Sequence, residues 1–259
     1  MDNYLSSVKK SCLLMKTFLD SPPEMGVTEL SKRLGISKGA VYKLLATLES
    51  EGFIRQNPAT KRYSLGYTLL ELGHKVMNGQ NLVELCTPDL TTLAAKTKEL
   101  VCLCLRDKYD AIYMQKIDSP HPIRFNVDTY RRFPLYATSA SRVILAFQEE
   151  VFIDRILSDE LIVYTERSIT DRQQMKERLT TIRQKKYEIS SDMRNIGVTG
   201  VAAPIFDSLA EVHASISIIG PSDRMKPQLE QLIAAVRATA TNISTRLGYS
   251  PLQKETLGE

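Results

Sequence analysis

The 259-residue sequence has no stretch approaching the ~18 consecutive apolar residues that a membrane-spanning helix needs. It also lacks the opening of a secretory signal. Met1-Asp2-Asn3-Tyr4 carries an acid, and Lys9 and Lys10 fall inside an amphipathic pattern rather than ahead of an apolar core. A cytoplasmic location without a membrane partner is expected. Cysteine is scarce, and Cys12, Cys86, Cys102 and Cys104 show no framework spacing, so reduced thiols are expected. Cys102 and Cys104 share a strand face but have no histidine or further cysteine nearby, which favours core thiols over a metal pair. The three histidines, His74, His121 and His213, are far apart and carry no motif, and His74 is expected at a surface or interface. Gly-x-Ser-x-Gly, the phosphate-binding Gly-x-x-x-x-Gly-Lys-Ser/Thr and His-Glu-x-x-His are all absent. Ser7-Val8-Lys9-Lys10 fits Ser-x-x-Lys, but it lies on an amphipathic helix and reads as coincidence. Internal repeats and low-complexity segments are missing too. No catalytic residue, cofactor or metal is expected.

What is present is ordinary for a globular chain: 43% apolar and 25% charged residues, in a length that suits two domains. The net charge of +4 is unevenly placed. Residues 1–65 hold ten basic and six acidic residues, an excess equal to that of the whole chain, so the remainder is neutral. A basic first quarter on a neutral body points to an anionic partner for that part alone, with nucleic acid the usual candidate.

In that quarter, Leu5, Val8, Cys12, Met15 and Leu19 recur at helical spacing, and Ser21-Pro22-Pro23 stops the run. A second helix fits Thr28 to Leu34, with Val27, Leu30 and Leu34 inward and Gly35 as its stop. Ser37 is placed to cap a third helix that buries Val41, Leu44, Leu45 and Leu48 and ends at Gly52. Phe53-Ile54-Arg55 and Arg62-Tyr63-Ser64-Leu65 are strand-like, joined by the turn chemistry of Asn57 to Lys61. Three helices and a hairpin in about 65 residues make a winged helix-turn-helix. Ser31, Gly35, Val41 and Leu44 fall where such a unit needs a small residue, a turn glycine and two core positions. The outer face of the third helix then carries Ser37, Lys38, Gly39, Ala40, Tyr42, Lys43 and Thr47, with Arg55, Lys61 and Arg62 on the hairpin. Amides at the helix start suit phosphate, and lysines can neutralise phosphates or reach guanine.

Further on, Gly66 to Asn78 reads as a linker helix with Leu69, Leu70, Leu72 and Val76 apolar. Leu82 to Lys98 reads as a helix with Pro88 tolerated near its first turn. Leu100 to Leu105, Ala111 to Ile117 and Ile123 to Val127 are strand-like, as are Tyr187 to Ser190, Val198 to Phe206 and Val212 to Ile219. Helices are expected over Ala140 to Phe147, Asp171 to Lys185 and Met225 to Leu247, the last with Leu229, Leu232, Ile233, Val236, Ile243 and Leu247 inward. The order implies an α+β chain with an antiparallel sheet. Its expected parts are a nucleic-acid-binding winged-helix domain at 1–66, a linker helix at 67–81, an α+β domain at 82–250 and a tail at 251–259. Thr138 or Ser139 can cap the helix from Ala140, turning free amides outward as a carboxylate or phosphate site.

Several segments resemble the IclR-type bacterial transcription regulators: Gly26 to Ser31, Leu34 to Leu48, Gly52-Phe53-Ile54, Tyr63 to Gly66, Pro134 to Ala140, Gly197 to Asp207 and Ser215 to Pro221. The resemblance implies a GAF-like or profilin-like effector domain and binding of small organic or aromatic acids at the loop before the helix. By position it implies Ser139 and Ala140 as anion-binding amides, with Ser190 or Asp192, Gly200 and Ser217 on the opposite wall. Pro134-Leu135-Tyr136 and the preceding Arg131-Arg132 resemble the branch that senses sugar acids and their keto derivatives. The chain departs from the pattern at Gly39-Ala40, where Ser-Thr is usual, at Ser139, where glycine is common, and at Gly200, where many members carry cysteine. The expectation is a ligand-responsive regulator of a catabolic operon. Its expected partners are a double-stranded DNA operator, a small organic acid effector and a homodimer or dimer of dimers. A winged-helix adaptor without DNA binding, or a small-molecule enzyme with a helical accessory domain, are the alternatives.

Overall fold

The computed structural model describes residues 4–78 and 81–250, so the expected tail at 251–259, the His74 side chain and the start before Tyr4 lie outside the described residues. The chain divides into two compact units, with the boundary between 80 and 81.

The first unit contains α1 (Ser6–Thr17), a 3-10 turn at Phe18–Asp20, α2 (Val27–Leu34), α3 (Lys38–Ser50), β1 (Ile54–Gln56), β2 (Tyr63–Leu65) and α4 (Thr68–Asn78). Its core gathers Leu14, Phe18, Met25, Leu30, Val41, Leu45, Leu48, Ile54 and Tyr63. The strands form an antiparallel hairpin with Ile54 opposite Leu65, and Met25 adds a bridge to Tyr63. The expected inward stripe of α1 is corrected. Leu5, Val8, Cys12 and Leu19 are exposed, Met15 alone of the stripe packs against the core, and Leu14 and the following Phe18 are the residues buried in it. Two apolar flanks compete on this helix, and periodicity does not say which one meets α2 and α3.

The second unit contains α5 (Asn81–Thr97), β3 (Leu100–Asp107), β4 (Asp110–Ile117), β5 (Arg132–Pro134), α6 (Ser139–Ala146), α7 (Glu150–Ile156), α8 (Arg172–Lys185), β6 (Glu188–Ser191), β7 (Val198–Phe206), β8 (Val212–Pro221), α9 (Ser222–Met225) and α10 (Leu229–Arg246). The strands form one antiparallel sheet in the order β5-β4-β3-β8-β7-β6. β7 and β8 are buried along nearly their whole length, so both sheet faces are covered. Helix α6 lies against β3, β6, β7 and β8 and against α8, while α5 and α10 pack on each other and on the sheet. Cys102, Cys104, Ala140, Ile144, Leu145, Ala202 and Ile219 belong to the core between the sheet and α6.

Three expectations change here. Ile123 to Val127 is not a strand; β5 takes the edge beside β4 instead. Pro120 and Pro122 remove two donors upstream of it. The Ile123 carbonyl accepts Arg224 Nη1 at 3.0 Å rather than a ladder amide. Pro88 lies two turns into α5, not near its start, where it removes the donor for the Glu84 carbonyl. The helix expected over Met225 to Leu247 breaks into α9, a 3-10 turn at Lys226–Gln228 and α10. Pro227 within that turn gives the reason. Helix α7 was not foreseen from periodicity.

Candidate nucleic-acid interface and ligand cavity

The turn between α2 and α3 is built as a helix-turn-helix requires. Gly35 adopts φ +64° at the end of α2, where a Cβ would be strained. Ser31 Oγ donates to the Ile36 carbonyl at 2.6 Å and closes the turn. Ser37 caps α3 by accepting from the Ala40 amide at 3.3 Å. Val41 and Leu45 are wholly buried, which rotates Ser37, Lys38, Gly39, Tyr42, Lys43 and Thr47 into solvent and leaves Ala40 half-buried. Tyr42 is 59% exposed, a large ring left uncovered on this face. Thr47 Oγ1 donates to the Lys43 carbonyl at 2.9 Å, so its hydroxyl is partly engaged.

The hairpin separates the three expected cations. Lys61 is exposed at the hairpin turn, at φ +55°. Arg55 is exposed and braced: Nε donates to Ser64 Oγ at 3.0 Å, Nη1 donates to the Tyr67 hydroxyl at 3.1 Å, and the guanidinium sits 4.9 Å from the Tyr67 ring centre. Arg62 turns inward. Nε and Nη2 donate to the Glu24 carbonyl at 3.3 and 2.9 Å, and Nη2 pairs with Glu29 at 3.0 Å. Its placement is that of a strut between hairpin and α2. Glu24 completes the strut from the other side. Its carboxylate accepts from Asn57 Nδ2 at 2.8 Å and Thr60 Oγ1 at 3.1 Å, and these bonds hold it below the usual carboxylate range. Neither Glu24 nor the inward role of Arg62 was legible from spacing, because both depend on the hairpin folding back onto the α2 start.

The second unit holds a cavity of about 490 Å³ between β5, the 125–132 segment, the start of α6 and the β6–β7 connection. That volume suits a small ligand. Thr138 caps α6 through a reciprocal pair: its Oγ1 accepts from the Ser141 amide at 3.2 Å, and Ser141 Oγ accepts from the Thr138 amide at 3.0 Å. The Ser139 and Ala140 amides, earlier in the same turn, have no intrahelical acceptor. Ser139, Ser190 and Gly200 line the cavity, as expected. Ala140, Asp192 and Ser217 do not. Ala140 is fully buried against the core. Asp192 is spent on its own turn, accepting from the Gly197 amide at 2.7 Å and pairing with Arg167 at 3.2 Å. Ser217 is fully buried and its Oγ has no hydrogen-bond partner among the described residues. The two departures Ser139 and Gly200 face each other: a Cβ at 200 would stand 2.7 Å from Ser139 Oγ. The added hydroxyl on one wall therefore occupies the space that a side chain on the other would need.

The cavity also holds residues that sequence reasoning did not place. Tyr113 and Phe133 pack as a tilted ring pair, 4.7 Å between centres, and burial pushes the Tyr113 phenol well up. Burial also raises the Tyr164 phenol, with Arg194 opposing. The Arg194 guanidinium lies 5.4 Å from the Phe133 ring centre and 4.8 Å from that of Tyr164. Of the other lining arginines, Arg131 pairs with Asp128 at 3.7 Å and Arg132 pairs with Asp107. Behind the wall, Arg142 and Glu188 form a pair at 2.9 Å with side chains 3% and 2% exposed. Arg178 joins Glu188 at 3.0 Å, and burial lowers the Arg142 pKa. This pair fixes α6 to β6, and so fixes Ser139 relative to Ser190.

The cysteines are free. Burial raises Cys86 to about 12 and pushes Cys102 and Cys104 further up, so all three stay protonated thiols. Asp207, Glu211 and His213 cluster at the β7–β8 turn. There Arg106 Nη2 lies 3.2 Å from His213 Nδ1, placing a fixed positive charge beside the cluster.

Comparison with known proteins decides what the two units are. A family model described as "IclR helix-turn-helix domain" matches residues 7–58, and one described as "Bacterial transcriptional regulator IclR C-terminal" matches residues 74–245. The chain belongs to the IclR family. It is 32% identical over 247 residues to the HTH-type transcriptional regulator KdgR of Escherichia coli (strain K12), covering 95% of this chain and 94% of that protein. Its fold matches the IclR transcriptional regulator from Alicyclobacillus acidocaldarius with TM-score 0.82 at 27% identity, covering 93% of this chain and 98% of that one. It also matches an IclR homolog from Microbacterium hydrocarbonoxydans complexed with 4-hydroxybenzoate, with TM-score 0.82 at 18% identity, covering 95% of this chain and 100% of that one. This IclR-family protein is a DNA-binding transcription regulator, not an enzyme. Its fold class is the expected α+β arrangement. No helix among the described residues is long and apolar enough to cross a membrane.

Proposed function

We propose that this regulator senses a small organic acid in the second-unit cavity and controls a catabolic operon through its winged helix. The observation that carries the reading is the cavity itself. Of its lining cations, Arg131 and Arg132 have carboxylate partners and Arg194 has none among the described residues. An anion is the ligand that leaves no charge unbalanced there. Ser139, Ser190 and Thr138 add hydroxyls suited to a hydroxylated body. The 4-hydroxybenzoate complex of the Microbacterium homolog supports a carboxylic acid in this fold. At the DNA, Lys38, Lys43, Lys61 and Arg55 meet phosphates or base edges, Tyr42 packs at a base, and Ser37, Gly39, Ala40 and Thr47 line the approach. Arg62 holds the wing rather than reading DNA.

A homodimer or dimer of dimers places recognition helices at half-sites about one helical turn, or multiples, apart. The domains act as residues 1–66, a linker at 67–81 and an effector unit at 82–250. Acid binding shifts the arrangement of the linker and so operator affinity, by no more than the acid's differential affinity for the two arrangements. The site of action is the cytoplasm. The experiment is anisotropy of the upstream DNA fragment titrated with protein, with and without sugar, keto and aromatic acids that raise the protein's melting temperature. An acid that stabilises the protein and changes operator affinity supports the reading. Stabilisation by uncharged sugars alone would refute it.

A further inference from the structure

We infer that Arg194 is the residue that selects the charge of the effector, by pairing its carboxylate at the β6–β7 connection. The inference rests on the cavity being the effector site and goes further, assigning which group in it recognises the acid. Arg194 Nη1 is buried and has no hydrogen-bond partner among the described residues. A buried guanidinium N–H left unsatisfied is uncommon in folded proteins. The group is nonetheless held in place, its guanidinium 5.4 Å from the Phe133 ring centre and 4.8 Å from that of Tyr164. Ring faces hold the cation without accepting a bond from Nη1, and the residue lines the cavity.

The neighbouring carboxylates do not quench it. Asp192, two residues before it, is engaged by Arg167 and the Gly197 amide. Asp128 pairs with Arg131, and Glu188 is shared by Arg142 and Arg178. A planar fork whose Nη1 is unpaired fits a carboxylate through two parallel bonds, whereas a neutral hydroxyl or amide would leave the charge uncompensated. The geometry therefore assigns a polarity to the ligand: carboxylate at Arg194, and a short hydroxylated or aromatic body extending along Tyr113 towards Ser139 and Ser190.

The test uses the full-length protein and its Arg194→Gln and Arg194→Lys variants. Calorimetric titration measures D-gluconate, D-galacturonate and 4-hydroxybenzoate, each against its uncharged counterpart: D-glucitol, D-galactose and 4-hydroxybenzamide. The expected result is that an acid bound by the wild type binds Arg194→Gln about ten- to a hundredfold more weakly, the range of a lost charge-assisted bond. Arg194→Lys, which keeps charge but not the fork, falls between. The preference for acid over counterpart collapses in Arg194→Gln, while its affinity for operator DNA without acid is unchanged. If Arg194→Gln keeps the wild-type preference, the assignment of Arg194 is overturned and the acid site survives. If the wild type binds none of the three acids, or binds the uncharged partners equally well, the acid site fails and Arg194 with it.

Discussion

The salt dependence of operator binding separates cations that face DNA from those that serve the fold. Lys38, Lys43, Lys61 and Arg55 are exposed on α3 and the hairpin, without a carboxylate partner among the described residues. Each phosphate neutralised contributes about −0.9 to the slope of log affinity against log salt. Four contacts give a slope of about −3.6 per DNA-binding unit, so a fourfold rise in salt weakens binding about 150-fold. Lys43→Ala removes one contact, bringing the slope to about −2.7 and the loss to about 40-fold. Arg62→Gln should behave differently. Its charge is balanced by Glu29 at 3.0 Å, and its other donors go to the Glu24 carbonyl. Its loss therefore weakens binding by loosening the wing, with the slope unchanged. The assay is fluorescence anisotropy of an upstream DNA fragment over a salt series, with melting temperatures recorded to exclude unfolding. A slope reduced by about 0.9 in Arg62→Gln would refute the strut. An unchanged slope in Lys43→Ala would show that α3 does not lie on the phosphates.

Three further outcomes follow from the same geometry. Glu24→Gln should lower operator affinity without altering acid binding. In the wild type, the grip of Glu24 on Asn57 and Thr60 belongs to the ionised carboxylate, whose pKa is depressed. It is present above the ordinary carboxylate range and lost as pH falls through the depressed value, so amide exchange in the hairpin should quicken only at acid pH. Glu188→Ala leaves Arg142 buried without its counter-charge and should cost about 3–5 kcal/mol, whereas replacing both with well-packed apolar residues should be near neutral; denaturant titration of the two variants decides. Gly200→Cys alone should clash with Ser139 Oγ and weaken acid binding, and adding Ser139→Gly should restore it, a coupling that a double-mutant cycle by calorimetry reads directly.

The readings that held were local ones. Gly35 stops α2 because only a residue without a Cβ takes φ +64° freely, and Ser37 caps α3 because its hydroxyl reaches the Ala40 amide three residues on. Thr138 does the same for α6. Ser139, Ser190 and Gly200 were placed by resemblance and line the cavity. The readings that failed asked periodicity for more than it holds. Leu5, Val8, Cys12 and Leu19 have helical spacing, yet the core took Leu14 and Phe18. Ile123 to Val127 has strand composition, yet its backbone was claimed by Arg224 and its Phe125 and Val127 by the cavity wall.

By itself, then, the sequence determined the helix stops and caps, the hairpin, the basic character of the first quarter and the family, because each is written within a few residues or in their order along the chain. Only the tertiary structure decided which charges are free. Arg62 and Arg55 look equivalent on the hairpin, but folding against Glu24 and Glu29 neutralises the first and leaves the second in solvent. Arg131, Arg132 and Arg194 all line one cavity, but Asp128 and Asp107 pair with the first two, while Arg194 lies against the rings of Phe133 and Tyr164 with no carboxylate partner among the described residues. The reason is that charge acts over a few ångströms. A cation's role is set by whatever the fold places at that distance, and chain separation carries no record of it.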